Sequence, residues 1–259
     1  HHAARYFLLN NRGAIAPGYL ADFVVIDSFE SFTIQQVFKK GVEMYDGRAV
    51  RDFQVPEIDP YLFQRAHDTF HVAHLTAQDF EERRPRGIIG MVPGELVTTD
   101  QGYSDHIDAE WDILKIAVIE RHKNTHHIGV GYLQGYGLKR GAVATSVSHD
   151  SHNIIVVGAN EEDMAAAANR VTANRGGIVV MEDGQLRGEV VLSIAGVMSD
   201  DTLENVNRAL EGAKDAAFAL GVSREIDPFM TLSFMSLPVI PTLRLTTRGV
   251  IDVLKQQYI

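Results

Sequence analysis

Ala144-Thr-Ser-Val-Ser-His149-Asp150-Ser-His152-Asn153 runs directly into Ile154-Ile-Val-Val-Gly158, and how this junction is read decides the fold. Residues 143–147 read as the end of one strand, and residues 154–157 as a short buried strand, because β-branched apolar residues recur there in short runs. Residues 148–153 are then a polar loop between two strands, held by the scaffold and still able to reach outward. Two readings follow. Ser, Asp and Asn can make the turn through side-chain-to-backbone hydrogen bonds. Alternatively, His149, Asp150 and His152 carry chemistry: two imidazoles and a carboxylate are ligand types for Zn, Mn or Fe, and they also form a general acid/base set. The loop alone holds too few ligands to complete a metal site.

Working outward, residues 88–92 and 113–119 are strand-like apolar runs. After the loop, Asn160 reads as a helix N-cap, followed by Glu161, Glu162 and Asp163 in the first turn, where acids suit the helix dipole. Met164, Ala168 and Val171 share one face of that helix, and Gly176 ends it. Residues 178–181 and 186–194 flank Asp183-Gly184 as a β-hairpin. A second helix is expected over residues 203–220, capped by Ser199 or Asp200. Its apolar stripe of Leu203, Val206, Leu210, Ala213, Ala217 and Leu220 faces a sheet, and Gly221 stops it. Residues 232–240, 242–246 and 250–254 read as strand-like pieces separated by Pro238, Pro241 and Gly249.

Toward the N-terminus, residues 3–9 read as the tail of a helix, and residues 13–50 as a small β-module with strands at 23–26, 34–39 and 42–45. Pro17-Gly18, Gly41 and Asp46-Gly47 supply its turns. A boundary is expected in the polar stretch 51–61. The fold class is therefore mixed α/β (α+β): a small β-sandwich segment, then an α/β accessory domain with a mixed sheet and at least two packed helices.

Composition narrows the function. The 259 residues contain 24 basic and 34 acidic side chains, a formal charge of -10, so the basic footprint of nucleic-acid or anionic-membrane binding is missing. With no cysteine, the sequence offers neither disulfides nor thiolate chemistry. No apolar run approaches the ~20 residues needed to span a bilayer. No secretory signal is recognisable either, and a cytoplasmic location is expected. The sequence starts without methionine inside a helix-like stretch, from which a fragment of a longer protein is expected.

Other candidate signals are weak. Gly129, Gly131 and Gly135 miss the G-x-G-x-x-G spacing by one residue, which favours a bent strand or a close backbone contact over a nucleotide loop. His67, His71 and His74 would share a helix face, but Thr69-Phe-His-Val72 alternates like a strand and would scatter them. His122, His126 and His127 read as solvated loop histidines, and Arg121 as a weak candidate for ligand contact. The run from Met230 to Pro241 is apolar and methionine-containing, suited to core, interface or pocket lining.

Two sets of motifs resemble known families. Gly13-Ala-Ile-Ala-Pro-Gly-Tyr-Leu-Ala-Asp22-Phe-Val-Val-Ile-Asp27 resembles the segment that follows the catalytic barrel in amidohydrolase-superfamily enzymes and completes a small β-sandwich. Four further stretches together resemble the C-terminal domain of bacterial adenine deaminases. They are Ile116-Ala-Val-Ile-Glu-Arg121-His122, Gly135-Tyr-Gly-Leu-Lys-Arg-Gly-Ala142, Ser146-Val-Ser-His149-Asp150-Ser-His152-Asn153, and Phe229-Met-Thr-Leu-Ser-Phe-Met-Ser-Leu-Pro238.

The resemblance implies three parts: residues 1–12 as the end of a barrel helix, 13–60 as the C-terminal part of the amidohydrolase β-sandwich, and 61–259 as the adenine-deaminase-type α/β domain. It implies hydrolytic deamination of adenine to hypoxanthine and ammonia, with a divalent metal (Mn, Fe or Zn) activating water in a barrel upstream. Candidate site residues are His149, Asp150 and His152, closing or tuning the purine site, with His149 and His152 as candidate metal ligands and the main ligands upstream. The expected partners are adenine, the upstream barrel and other copies in a homo-oligomer, with no nucleic acid and no membrane. The isolated chain is expected to be inactive. Two alternatives stand: a non-catalytic structural or oligomerisation domain, and an amidohydrolase acting on another cyclic amide or amidine.

Overall fold

The computed structural model describes residues 1–259 except Phe53, Val55 and Arg83. The chain divides into two compact units, His1–Ile58 and Asp59–Ile259. The sequence-expected stretch 51–61 contains two of the residues outside this description.

The first unit holds a one-turn helix, α1 (His2–Tyr6), and an antiparallel sheet of β1 (Phe23–Ile26), β2 (Ile34–Lys39) and β3 (Val42–Tyr45). Asp22 organises its turns. Its carboxylate accepts from Arg12 Nη1 at 2.6 Å and from the Lys40 amide at 2.7 Å, and it pairs with Lys39. Phe23 and Phe38 stack across β1 and β2, with centroids 4.7 Å apart.

The second unit is a three-layer structure around one eight-stranded sheet. Its strands are β4 (Arg86–Met91), β5 (Thr98–Ser104), β6 (Leu114–Ile119), β7 (Ile128–Gln134), β8 (Ala142–Thr145), β9 (Ile154–Gly158), β10 (Gly177–Glu182) and β11 (Gln185–Val191). The spatial order is β11-β10-β8-β9-β6-β7-β4-β5. Every neighbouring pair is antiparallel except β4 with β7, so the sheet is mixed. One face carries α3 (Glu161–Ala173) and a 3-10 turn at Ala77–Phe80. The other carries α4 (Leu203–Ala219), α5 (Pro228–Phe234) and a small sheet of β12 (Leu243–Thr246), β13 (Gly249–Asp252) and β14 (Gln257–Tyr258). A further short helix, α2 (Pro60–His67), precedes them in the chain.

Because both sheet faces are covered, the central strands β6, β8 and β9 are buried at every position and mostly apolar. Along β6, Leu114, Ile116 and Val118 enter one core, while Ala117 and Ile119 enter the other. In β9, Ile155 and Val157 alternate in the same way with Ile154 and Val156. This explains why residues 113–119 and 154–157 read as continuous runs rather than alternating ones.

Local signals account for the helices. The Asn160 side chain accepts from the Asp163 amide at 2.7 Å, as the N-cap reading requires. The buried Asp163 carboxylate then accepts from the amides of Asp183 and Gly184, which fastens the start of α3 to the β10–β11 turn. Along α4, Val206, Leu210, Ala213, Ala217 and Leu220 join the core, whereas Leu203 is 79% exposed.

Three expectations need correction, and one strand went unread. The cap of α4 is Thr202, whose hydroxyl accepts from the Asn205 amide, not Ser199 or Asp200. The start of the stretch read as a strand at 232–240 is instead helical, within α5. Asp227 caps α5 by accepting from the amides of Phe229 and Met230, and Pro228 occupies the first turn, where its missing N–H costs nothing. Residues 69–72 form no strand. Strand β5 was not foreseen: it is a polar edge strand with most residues exposed. The glycine-rich run is β7, and its glycines let the β12–β13 hairpin approach the sheet. A Cβ on Gly129 would meet the Thr246 carbonyl and lie 2.6 Å from Gly249 N.

Candidate functional site

The loop 146–153 joins β8 to β9, which pair antiparallel in the middle of the large sheet. Its polar residues divide into two groups. Ser146, Ser148 and Asn153 are buried and build the turn. The Ser146 hydroxyl donates to the Gly196 carbonyl at 2.6 Å and accepts from the Gly177 amide at 2.8 Å. The Ser148 and Ser236 hydroxyls share a hydrogen bond at 2.5 Å, and the His152 amide closes the turn on Ser148 O at 2.6 Å. Asn153 Oδ1 accepts from the Arg121 amide. The second group is left facing outward: the side chains of His149 and Asp150 are 49% and 75% exposed. The turn reading therefore holds for Ser146, Ser148 and Asn153, while the His149 and Asp150 side chains take no part in building the turn.

His149 is held on three sides. Its amide donates to Ser233 O at 2.9 Å, its ring stacks on Phe234 with centroids 5.3 Å apart, and its Nδ1 contacts the Asp150 carboxylate. A carboxylate on Nδ1 favours the tautomer protonated there, leaving Nε2 as an acceptor toward solvent. His152 sits deeper, with a left-handed backbone (φ 49°) and a buried Nδ1 that has no hydrogen-bond partner. Burial lowers its pKa, and the nearby charges of Arg121 and His149 lower it further against the opposing pull of Asp150. Its imidazole is thus on the neutral side at pH 7, and its buried Nδ1 is left without a hydrogen-bond partner.

Arg121, read from sequence as a weak candidate for ligand contact, is a buried clamp instead. Its guanidinium donates to the carbonyls of His152, Thr69 and Ala195 and lies over the Phe70 ring at 4.2 Å. Burial brings its pKa down to about 10, so it stays charged at neutral pH. Its neighbour His122 reaches the other side of the loop, with Nε2 at 2.8 Å from Ser151 O.

These donors do not amount to a metal centre. Among the described residues, no group of three or more His, Asp or Glu side chains is placed to hold a metal ion. His149 already faces Asp150 through Nδ1, and His152 offers a single buried nitrogen. Apart from His122, no other histidine among the described residues is hydrogen-bonded to the loop. His67 ends α2 and bonds the Phe63 carbonyl, His71 uses its amide on Arg121 O, and His126 and His127 are exposed between β6 and β7. Phe234 and Ser236 were not singled out as site residues from the sequence. They lie more than 80 positions beyond His149, and no local spacing connects them to the loop.

Residues 94–257 match the family described as the adenine deaminase C-terminal domain. The chain belongs to the adenine deaminase C-terminal domain family. The match includes Arg121, the whole 146–153 loop and both α5-side residues, Phe234 and Ser236. Similarity to curated relatives extends beyond it. Adenine deaminase 1 of Rhizobium johnstonii is 44% identical over 97% of this chain and 44% of its own length. Adenine deaminase of Brucella melitensis biotype 1 is 40% identical over 99% of this chain and 45% of its own length. Adenine deaminase 2 of Carboxydothermus hydrogenoformans is 41% identical over 97% of this chain and 45% of its own length. The chain thus spans somewhat less than half the length of these relatives, and its adenine deaminase C-terminal domain forms most of the second unit.

Proposed function

We propose that this chain is the C-terminal part of an adenine deaminase, a protein that converts adenine and water to hypoxanthine and ammonia. The carrying observation is the family match over residues 94–257, supported by 40–44% identity to adenine deaminases through nearly the whole chain. In this reading the catalytic barrel lies upstream of these residues, which is supported by relatives more than twice as long as the matched region. In this reading residues 1–12 end a barrel helix, residues 13–60 complete its β-sandwich, and residues 61–259 form the accessory domain. A divalent metal (Mn, Fe or Zn), when bound in the parent protein, supplies an activated water at neutral pH. The described residues do not fit such a centre, so no catalytic step is assigned to them.

The role proposed for this chain is to close or tune the purine site through the 146–153 loop. His149 offers Nε2 as an acceptor to a ligand N–H, and Asp150 fixes the ring that carries it. His152 holds its unpartnered Nδ1 beneath them. A cytoplasmic location is part of this reading. Among the described residues, no helix is long and apolar enough to cross a membrane.

The test is ammonia release from adenine by the full-length protein loaded with manganese, alongside the 259-residue chain under the same conditions. Turnover by the full-length protein and none by the chain is expected. Turnover by the chain alone, or ammonia released only from other cyclic amidines, overturns the reading.

A second role, assembly into a homo-oligomer, is favoured by Met230 and Val239, which are 55% and 72% exposed next to the α5 core. Light scattering on the full-length protein tests it. A monomer overturns it.

A further inference from the structure

We propose that Phe234 and Ser236 are positioning residues for His149, so that the α5 end and the 146–153 loop act as one unit. This rests on the reading that the loop serves the purine site and adds which residues set its geometry.

His149 is half-exposed on a loop, and an exposed imidazole ordinarily samples several rotamers. Three contacts from one short segment restrict it. The Phe234 ring lies nearly parallel to the imidazole, inclined by 19°. Ser233 O anchors the backbone amide of His149 at 2.9 Å. The Ser236 hydroxyl is a junction: it shares a hydrogen bond with Ser148 at 2.5 Å and lies 3.3 Å from the His149 carbonyl and 3.5 Å from the Ser233 carbonyl. Ser148, Ser233 and Ser236 are all buried, so these bonds face little competition from water.

The supporting segment is itself fixed. Asp227 caps α5, Phe229, Leu232 and Met235 are buried in the core, and Leu237 is buried. The Leu245 amide bonds Met235 O at 2.9 Å, which ties the segment to β12. A ring stacked on such a platform keeps one face covered and its Nε2 edge free. Asp150 settles the tautomer, and Phe234 with Ser236 settles the direction. Substitution of Phe234 should therefore act on the reaction only through His149.

The test is a double-mutant cycle in the full-length protein, with adenine turnover as one readout and the His149 side-chain NMR signal as the other. In the wild type, the His149 ring carbon-bound proton should be shifted upfield by the Phe234 ring current. Phe234→Leu should move it to the position of an exposed histidine, and Phe234→Tyr should keep it. Phe234→Leu should lower kcat/KM roughly three- to tenfold, the range a lost aromatic stack implies. The loss should fall mainly on kcat. Phe234→Tyr should restore it, and Ser236→Ala should lower kcat/KM by a similar factor.

In a His149→Ala background, Phe234→Leu should have no further effect. Additive losses, or a wild-type His149 signal already at the exposed position, overturn the positioning role while leaving the loop's role intact. Unchanged turnover in His149→Ala overturns both. The NMR readout decides the geometry even where no turnover is measured.

Discussion

The Nε of Arg121 donates a hydrogen bond to the carbonyl oxygen of His152, 31 residues further along the chain. The same guanidinium holds Thr69 O at 2.7 Å and Ala195 O at 2.9 Å, so one buried side chain joins three segments to the loop. Among the described residues, no carboxylate forms an ion pair with it. Its role is to supply donors to carbonyls that have turned away from the sheet. Replacing Arg121 with methionine keeps most of the volume and strands those acceptors. Each unsatisfied buried group costs about 1–3 kcal/mol, so a loss of about 3 kcal/mol or more is expected. Arg121→Lys should recover only part of this, because an ammonium cannot reproduce the planar fork. Urea denaturation of the two variants against the wild type measures the difference, and equal midpoints for all three would contradict the clamp.

Gly129 and Gly212 should respond in opposite directions to the same substitution. At Gly129 a methyl group meets the Thr246 carbonyl and Gly249 N, both backbone atoms of the β12–β13 turn that cannot simply rotate away. Gly129→Ala should destabilise by about 3 kcal/mol or more, at the upper end of overpacking effects. Gly212 lies on the exposed face of α4, with nothing within 4 Å of an added Cβ. Gly212→Ala should stabilise by about 0.5–1 kcal/mol through helix propensity. Thermal melts of both variants check the contrast.

Asp227 couples the platform beneath His149 to pH. Burial raises its carboxyl pKa, but the Met230 amide, the Lys214 ammonium and the Phe229 amide outweigh it, and the net pKa is lowered. Since the folded value lies below the unfolded one, its stabilisation is present above about pH 4 and is lost as pH falls through the folded value. Asp227→Asn keeps a capping oxygen while losing the ion pair to Lys214, 3.1 Å away. Its stability should vary less between pH 5 and 3 than that of the wild type. Asp227→Ala should cost about 1 kcal/mol at pH 7 from the lost cap alone. Urea midpoints across that pH range report both effects.

Much of the second unit was legible where local chemistry and tertiary environment agree. Asn160 followed by three acids gives the start of α3, and Asp183-Gly184 gives the β10–β11 turn. The runs at 113–119 and 154–157 mark strands covered on both faces. Residues 232–240 read as strand-like from their apolar composition, whereas Asp227 and Pro228, just before that stretch, start a helix that reaches Phe234. Strand β5, Thr-Thr-Asp-Gln-Gly-Tyr-Ser, sits at the sheet edge, and no apolar alternation betrays it. The loop stood out by its residue types, but its supports did not. Arg121, Phe234 and Ser236 reach it only through long-range contacts, which composition and spacing do not encode.

Adenine turnover by the full-length protein, compared between wild type, His149→Ala and His152→Ala, tests the central claim most directly. The expected result is one ammonia released per adenine consumed by the wild type. Both variants should lose about tenfold or more in kcat/KM, as removing a site group generally does, while their urea midpoints stay within about 1 kcal/mol of the wild type. No ammonia from adenine in the wild type, or unchanged turnover in both variants, would contradict it.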